Sequence, residues 1–597
     1  MKQNLISLPN KIAHHRFKKV IFDIETEGLE GNTIHCIVAK VIGGETYLFP
    51  PDKLQEGADL IESADVLIGH NIIGFDIPVL KKHFDLTLTN HIEDTLVVSR
   101  LVNPVLTGGH SLENWGYILY PNEADKRKAQ QPDSWENYTE EMGKYCIQDV
   151  ELNADVYYKL LEQVENFSQE SVDLEHSVAK IMKEQEINGF MLDEQKATML
   201  AAKLNSKMAE IEKKVHETFK PKWVDDKIVT PKIRKDGTLS KVGLTNEEMR
   251  KCLRANNFKP FMRQKWVTFN LASRKQIGEY LIDFGWKPKK FTPTGQPIVD
   301  ETTLEKVKDI PEATLIAEFM MLQKRVAQVS SWLELSEEGR VHGFVIPNGA
   351  ITGRMTHRSP NVAQTPSSTK PYGKECRECW TVPEGYKLVG IDASGLELRV
   401  LAHYMKNEEY INEIVNGDIH TTNQNLAGLG SRSQAKTFIY ALIYGAGDAK
   451  IGSVVGGNSK AGAALRSSFI RNLPSLGNLT TSVERAAQTR KYLKALDGRV
   501  IHIRKVYSSL NTLLQGGGAI IMKTALVLLY NQIKELKLNA KFVANVHDEW
   551  QIEVIEDQAE TVGKLGVKAI RDTQNVLNLN CPLDGEYKIG KDWSETH

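Results

Sequence analysis

Residues 387–404 read KLVGIDASGLELRVLAHY, and residues 541–554 read KFVANVHDEWQIEV. The first is an apolar strand that ends at Asp392, turns at Ser394-Gly395 and enters a helix near Leu396. The second is strand, turn, strand, with His547, Asp548 and Glu549 at the tip. A carboxylate at the end of an apolar strand, beside backbone carbonyls, is the donor type that hard divalent cations take. Hairpin turns are polar whatever their role, so the tip alone decides little. Between these stretches lies RSQAKTFIYALIYGAG (432–447), where Arg432, Lys436, Tyr440 and Tyr444 recur at steps of four. At 3.6 residues per turn each step drifts by about 40°, which keeps all four within one helical stripe. Two cations followed by two aromatics can hold a triphosphate at one end and stack a base at the other. Taken alone, a solvated helix with two core tyrosines explains the segment equally well.

A second set of acids lies near the N-terminus. In IFDIETEG (21–28), Asp23 and Glu25 sit two apart in an apolar strand, so both side chains leave the same face. Asp76 follows in GHNIIGFDIPVL (69–80), just before a helical pattern. In KYCIQDVELN (144–153), Asp149 and Tyr145 are four apart and share a helical face. Without a cation, the mutual repulsion of Asp23 and Glu25 raises one of their pKa values. Four carboxylates and a phenol could hold two metal ions about 3.5–4 Å apart and activate water for phosphodiester hydrolysis.

Composition narrows the class without naming the chemistry. The chain has 597 residues, or roughly four folding units at about 150 residues each. It is 41% apolar and 25% charged, which excludes a largely disordered chain. No uncharged apolar run reaches the ~18–20 residues that cross a bilayer, and the N-terminal stretch lacks a secretory signal's apolar core. Six cysteines cannot staple a chain of this length, so a reducing compartment is expected. The formal charge of −1 hides two opposed blocks. Residues 21–100 carry 14 Asp/Glu against 5 Lys/Arg, and residues 220–266 carry 13 Lys/Arg against 5 Asp/Glu. The basic block is interleaved with Trp223, Phe258, Phe261 and Trp266 and reads as an irregular, exposed insertion between helical arms at 170–216 and 312–335. Such a surface suits a phosphate backbone.

The order D-x-E, N-x-x-x-F-D, Y-x-x-x-D, with Asp94 in EDTLVVSRL and His110 in HSLENWGY, resembles the four-carboxylate 3′–5′ exonuclease superfamily across residues 18–153. Asp392, the 432–447 helix and Asp548 resemble motifs A, B and C of the family A, DNA polymerase I-type, polymerases. The likeness extends to TGRMTHRSPNVAQTP (352–366), NGDIHTTNQ (416–424), LDGRV (496–500), NTLLQGGGA (511–519) and LDGEYKIGKDWSETH (583–597). The order of blocks is most similar to that of the replicative polymerases of short-tailed bacteriophages.

This resemblance implies an α/β multidomain chain: a ribonuclease H-like exonuclease domain, then a right-hand polymerase with an antiparallel palm sheet and helical fingers and thumb. The expected boundaries are exonuclease 1–165, thumb 166–335 with the basic insertion at about 220–268, palm 336–405, fingers 406–505 and palm again 506–597. It implies two Mg²⁺ ions at each site, with Mn²⁺ able to substitute. Asp392 and Asp548 would hold one pair, with Glu549 in support; Asp23, Glu25, Asp76 and Asp149 would hold the other, with Tyr145 orienting the water. Arg432, Lys436 and His420 would contact the incoming triphosphate, and Lys436 would protonate the leaving pyrophosphate. Glu397 would cover the sugar 2′ position and hydrogen-bond Tyr440, Tyr444 would stack near the templating base, and Arg354, Gln515 and His547 would touch DNA. Tyr440, where many relatives have Phe, implies ready use of dideoxynucleotides.

Expected partners are primer–template DNA, dNTPs and a phage helicase-primase, in the cytoplasm of a bacterial host, with no membrane. Host thioredoxin is a candidate partner only in so far as the insertion, shorter and less glycine-rich than in some phage relatives, still serves that role. No flap-nuclease domain fits ahead of residue 18. The Cys376-x-x-Cys379 pair has no second pair to complete a zinc site and is read as incidental. A single-subunit RNA polymerase shares the two aspartates, but the Glu397–Tyr440 combination and the nuclease block oppose it. A DNA-binding protein with vestigial sites is opposed by the intact acids.

Overall fold

The computed structural model describes residues 18–127 and 131–597; most of the N-terminal stretch searched for a secretory signal lies outside them. The described residues form two compact units, one running to Asp193 and resuming at Leu335–His597, the other Glu194–Glu334.

The first unit begins with β1 (Lys19–Thr26), β2 (Ile34–Val41), β3 (Thr46–Phe49), α1 (Leu54–Glu62), β4 (Val66–Gly69), α2 (Asp76–His83), β5 (His91–Asp94), α3 (Thr95–Val102), α4 (Leu112–Leu119), α5 (Glu140–Gln163) and α6 (Gln169–Asn188). The sheet order is β3-β2-β1-β4-β5. β1 pairs antiparallel with β2 and parallel with β4, the mixed pattern expected of the ribonuclease H-like reading. Central β1 has Val20, Ile21, Phe22 and Ile24 buried, so apolar burial on both faces fixes the strand that carries Asp23 and Glu25.

The helical stretch expected over 170–216 is broken. Gly189, at φ 60°, ends α6, and β6 (Phe190–Leu192) intervenes. A positive φ is cheap only for glycine, which is why the helix stops there.

The second unit holds α7 (Glu194–Thr218), β7 (Lys222–Val229), α8 (Asn246–Ala255), β8 (Phe261–Val267), α9 (Arg274–Asp283), α10 (Glu301–Leu304) and α11 (Pro311–Glu334). Long helices α7 and α11 pack on each other, and Phe219, Phe269 and Tyr280 cluster with ring centroids 4.7–5.4 Å apart. The basic block is therefore not irregular: β7 and β8 form an antiparallel ribbon with a bulge between Asp225 and Lys227, and α8 lies between them in sequence. Strand pairing across more than thirty residues leaves no local periodicity to read.

The first unit resumes with β9 (Ser336–Glu337), β10 (Arg340–Val341), β11 (Phe344–Ile346), β12 (Thr356–Arg358), α12 (Gly373–Glu378) and β13 (Trp380–Thr381), where β13-β6-β10-β9 form a small sheet. Next come β14 (Tyr386–Ala393), α13 (Leu396–Met405), α14 (Glu408–Asn416), α15 (Ile419–Ala427), α16 (Arg432–Ile443), α17 (Asp448–Ser453), α18 (Ser459–Asn472) and α19 (Pro474–Arg490). The chain closes with β15 (Tyr492–Lys494), β16 (Val500–His502), α20 (Ser509–Glu535), β17 (Ala540–Val546), β18 (Glu549–Ile555), α21 (Ala559–Val576), β19 (Gly585–Gly590) and α22 (Trp593–Thr596). The sheet β17-β18-β14-β19 is antiparallel throughout.

One apolar core, including Ile391, Leu398, Phe438, Ile439, Ile521, Leu526, Trp550 and Ile570, joins this sheet to α13, α16, α20 and α21. Helix α20 is long and apolar enough to cross a membrane by composition, but 78% of that stretch is buried, as befits a core helix. A Cβ at its Gly517 would lie 2.7 Å from Val400 Cγ1 on α13, so close helix packing favours glycine at that position.

A buried ionic cluster ties these parts together. Glu175 on α6 accepts hydrogen bonds at Oε1 from Arg499 Nη1 at 2.5 Å and Lys523 Nζ at 2.6 Å. Asp497 supplies Arg499 with a second carboxylate at 2.7 Å. Burial pushes Lys523 down to about 8, and the Glu175 charge opposes the fall. Glu175→Ala leaves two cations buried over one remaining acid and should cost about 3–5 kcal/mol in urea denaturation; a loss below about 1 kcal/mol would show that the cluster is solvated.

Candidate active sites

β14 and β18 run side by side, with Asp392 opposite Glu549 in register. The Ala393 N–H donates to the Asp548 carbonyl at 3.1 Å, so the two aspartates occupy neighbouring positions at the end of the sheet. The two-residue turn His547-Asp548 joins β17 to β18, and His547 sits at φ 58°, a conformation that strains a residue with a Cβ. Burial, then the nearby Asp548 charge, pushes Asp392 up to about 7. Burial, then Glu397, raises Asp548. Two partly buried carboxylates, each with its charge disfavoured by burial and by a neighbouring acid, are a donor set suited to hard divalent cations.

Glu549 is tied closely to its neighbours. Its Oε1 accepts from Gln551 Nε2 and Trp593 Nε1, each at 2.5 Å, and its Oε2 meets His597 Nδ1 at 2.8 Å. Burial favours its neutral form, but these bonds win and hold the carboxyl below its ordinary range. Both oxygens are thus engaged, by Gln551 on β18, by Trp593 on α22 and by the residue after that helix.

Ser431 caps α16 by accepting from the Gln434 N–H at 3.2 Å. The helix presents Arg432 and Lys436 near His420, whose pKa falls through burial and then through these two cations. His420 and Tyr440 rings lie 6.2 Å apart, and Tyr440 and Tyr444 stack at 6.4 Å. The expected stripe therefore exists, and Tyr440 also feels the charges of Glu397, Asp548 and Asp392.

One expectation is corrected. Glu397 Oε1 accepts from the Tyr444 hydroxyl at 2.5 Å, not from Tyr440, and lies 3.5 Å from Arg354 Nη2. The helix ends at Tyr444, where Gly445 turns at φ 72°, and this last ring reaches the carboxylate while Tyr440 packs between His420 and Tyr444. Arg354, Glu397, Lys523, His547 and Asp548 line one cleft. Gln515 on α20 donates to Asn511 Oδ1 at 3.3 Å.

Arg432 has a partner the sequence reading missed. Asp418, which caps α15, accepts from Arg432 Nε at 2.7 Å and Nη2 at 3.1 Å. The residue stood in the NGDIHTTNQ block, but nothing local signalled a contact across 14 residues. Lys436 is exposed and makes no ion pair among the described residues.

At the other site, Asp76 starts α2 and accepts from the Ile24 N–H on β1 at 3.2 Å. Burial, then Asp23, raises its pKa well above the ordinary value. Asp149 and Tyr145 are buried on α5, and Tyr145 meets Trp135 edge to face at 5.8 Å. Cys146 joins the set unexpectedly: its Sγ and the Asp23 and Glu25 oxygens lie within 4.8 Å of one another. Burial drives that thiol's pKa up, which keeps it protonated and donating toward the Asp23 carbonyl.

Asp94 is a scaffold acid. It accepts from the Asn71, Ile73 and Leu96 N–H groups at 2.9–3.0 Å and so shapes the loop that delivers Asp76. His110 Nδ1 bonds Ser99 Oγ at 2.8 Å.

With this geometry in place, comparison with known proteins is decisive. A model described as DNA polymerase family A matches residues 241–595, and one described as 3′–5′ exonuclease matches residues 4–165. The chain belongs to DNA polymerase family A. It is a DNA-directed DNA polymerase that carries a 3′–5′ exonuclease domain. The DNA-directed DNA polymerases of Enterobacteria phage T3 and Escherichia phage T7 are each 33% identical to it, over 97% of this chain and all of theirs. The thermostable DNA polymerase I of Thermus aquaticus is 28% identical over 54% of this chain and 42% of its own. The polymerase domain of Pol1 from M. smegmatis, solved with DNA primer-template and dNTP, shares the fold with a TM-score of 0.77 at 18% identity, over 97% of this chain and 96% of that one.

The Asp392 pKa gives a stability test. A carboxyl raised in the folded state binds its proton more tightly there, so folding weakens as pH rises from about 4 to about 7. Asp392→Asn should stabilise the metal-free polymerase at pH 8 by on the order of 2 kcal/mol, after discounting for partial exposure, and by less at pH 5. Urea denaturation in EDTA reads the difference; destabilisation at pH 8 would contradict the assigned repulsion.

Proposed function

We propose that the polymerase replicates a phage genome, extending a primer 3′-OH at Asp392 and Asp548 and proofreading at Asp23, Glu25, Asp76 and Asp149. The observation that carries this reading is the pair of neighbouring aspartyl groups at the end of one sheet, both with raised pKa values, overlooked by a helix of cations and stacked aromatics. Divalent ions, two Mg²⁺ at each site or Mn²⁺ in their place, would neutralise phosphate charge and acidify the attacking hydroxyl or water.

The chain's own residues do the positioning. Arg432 and Lys436 bind the triphosphate, with Lys436 placed to give the leaving pyrophosphate a proton, and His420 assists. Arg432 must first leave Asp418, so the incoming triphosphate replaces one anion with another. Glu397, braced by Tyr444 and Arg354, covers the sugar 2′ position. Tyr444 stacks near the template base when that brace is released. Arg354 and Gln515 read minor-groove acceptors, which are degenerate among base pairs and so report pair geometry, and His547 contacts the primer end. Tyr145 orients the hydrolytic water.

On this reading the exonuclease domain is 1–165, the thumb 166–335, the palm 336–405 with 506–597, and the fingers 406–505. The enzyme works in the bacterial host cytoplasm beside a helicase-primase. Host thioredoxin would have only a short ribbon and helix to grip in this insertion.

Labelled primer extension tests the assignment. With dNTPs the primer should lengthen, and without them it should shorten from its 3′ end. Asp392→Asn and Asp548→Asn should each lower synthesis by about 10³-fold or more while DNA binding and 3′ shortening persist. Asp23→Asn should do the converse. Unchanged incorporation in either palm variant would refute the site.

Tyr440 carries a separate expectation. Tyr440→Phe should lower dideoxynucleotide use by at least about tenfold against dNTPs in chain-termination assays; an indifferent termination pattern would remove Tyr440 from the sugar pocket.

A further inference from the structure

The β7–β8 ribbon leaves one sheet face bare. Trp223 and Trp266 are register partners whose rings lie 5.5 Å apart at 63°, and they are 62% and 56% exposed. Past the bulge, Ile228 and Met262 are also partners and also exposed. The alternate residues are better covered: Val229 is buried, and Arg263 pairs with Glu248 of α8 at 2.6 Å. Neither tryptophan belongs to the aromatic cluster of Phe219, Phe269 and Tyr280 that fills this unit. The cross-strand contact steadies the ribbon by about 0.2–1 kcal/mol, but the outer ring faces stay bare, and exposed apolar patches of this kind mark contact sites.

Charge identifies the occupant. The ribbon and its connection, 222–267, carry 12 Lys/Arg against 5 Asp/Glu. The acids are largely spent: Asp226 pairs with Lys265 at 3.0 Å, Glu248 with Arg263, Glu247 with Lys251, and Asp225 accepts from Gln264. Lys227, Lys232, Arg234, Lys235 and Lys241 are exposed and without an ion pair among the described residues. A ribbon with bare aromatic faces, whose strand and connecting loop also carry unneutralised cations, suits unpaired bases on a polyanionic strand. An apolar protein partner would use the tryptophans and leave the cations unexplained.

We propose that the β7–β8 ribbon is a single-stranded DNA-binding platform, with Trp223 and Trp266 stacking bases and the 227–241 cations holding phosphates. The contact is additional to primer–template binding and independent of the residue roles proposed in the palm. Its function is to keep a single strand attached to the enzyme between catalytic events.

The test uses the full chain in EDTA, with excess unlabelled hairpin primer–template occupying the duplex site, and fluorescence anisotropy of a labelled oligothymidylate of about 20 nucleotides. Trp223→Ala with Trp266→Ala should weaken oligothymidylate binding at least about tenfold, while Trp223→Phe with Trp266→Phe should stay within about threefold. Lys232→Glu, Arg234→Glu and Lys235→Glu together should flatten its salt dependence. Extension of the saturating hairpin should be unchanged in every variant, which separates this contact from catalysis. Unaltered oligothymidylate affinity in the alanine pair overturns the proposal, and so does loss of a captured host protein with oligothymidylate binding intact.

Discussion

The polymerase half is organised around a repulsion. Asp392 at the end of β14 and Asp548 in the turn before β18 are held side by side by β14–β18 pairing, and the Asp548 charge makes that of Asp392 less favourable. Nearby cations relieve it only in part: His597 favours the charged form of Asp392, and His547 and Arg354 that of Asp548, while Glu549, itself acidic, spends its oxygens on Gln551, Trp593 and His597. The surrounding core is what makes the arrangement tolerable: Ile391 and Trp550 are fully buried, and each such side chain contributes about 1.5–3 kcal/mol. Stability supplied by apolar burial is thereby used to hold a site that destabilises itself until positive charge arrives.

The same logic recurs at the exonuclease site with different parts. β1 and the start of α2 bring Asp23, Glu25 and Asp76 together, and Asp94 supports the loop before α2 with two backbone hydrogen bonds while capping α3 with a third. The two halves also share contacts. The C-terminal end of α3 gives the Arg100 carbonyl to Asn348 and the Val102 carbonyl to His502, while the Asp94 N–H donates to His176. The exonuclease sheet is thus bonded to α6 and to the polymerase core within one compact unit.

Much of this was legible because it is local. The strand ending at Asp392 with a helix from Leu396, the D-x-E in β1 and the four-residue stripe on α16 each follow from short-range periodicity. What escaped was set by distance in sequence. Glu175 meets residues 324 and 348 positions away, and no pattern in α6 announces them. Asp418 lay in a quoted block, but its bond to Arg432 depends on how α15 and α16 pack. Tyr444 displaced Tyr440 as the Glu397 partner because a helix end, unlike its middle, can turn a side chain away from the stripe. The basic block looked irregular for the same reason: strand pairing between 222–229 and 261–267 is invisible to local reading.

The central claim is that Asp392 and Asp548 share a pair of cations. Anomalous diffraction from the polymerase bound to Mn²⁺, a dideoxy-terminated primer–template and the next dNTP tests it most directly. The account predicts two peaks about 3.5–4 Å apart, both contacted by these two carboxylates. Carboxylates that stay unligated, or a peak held by Glu549 in place of Asp548, would contradict it.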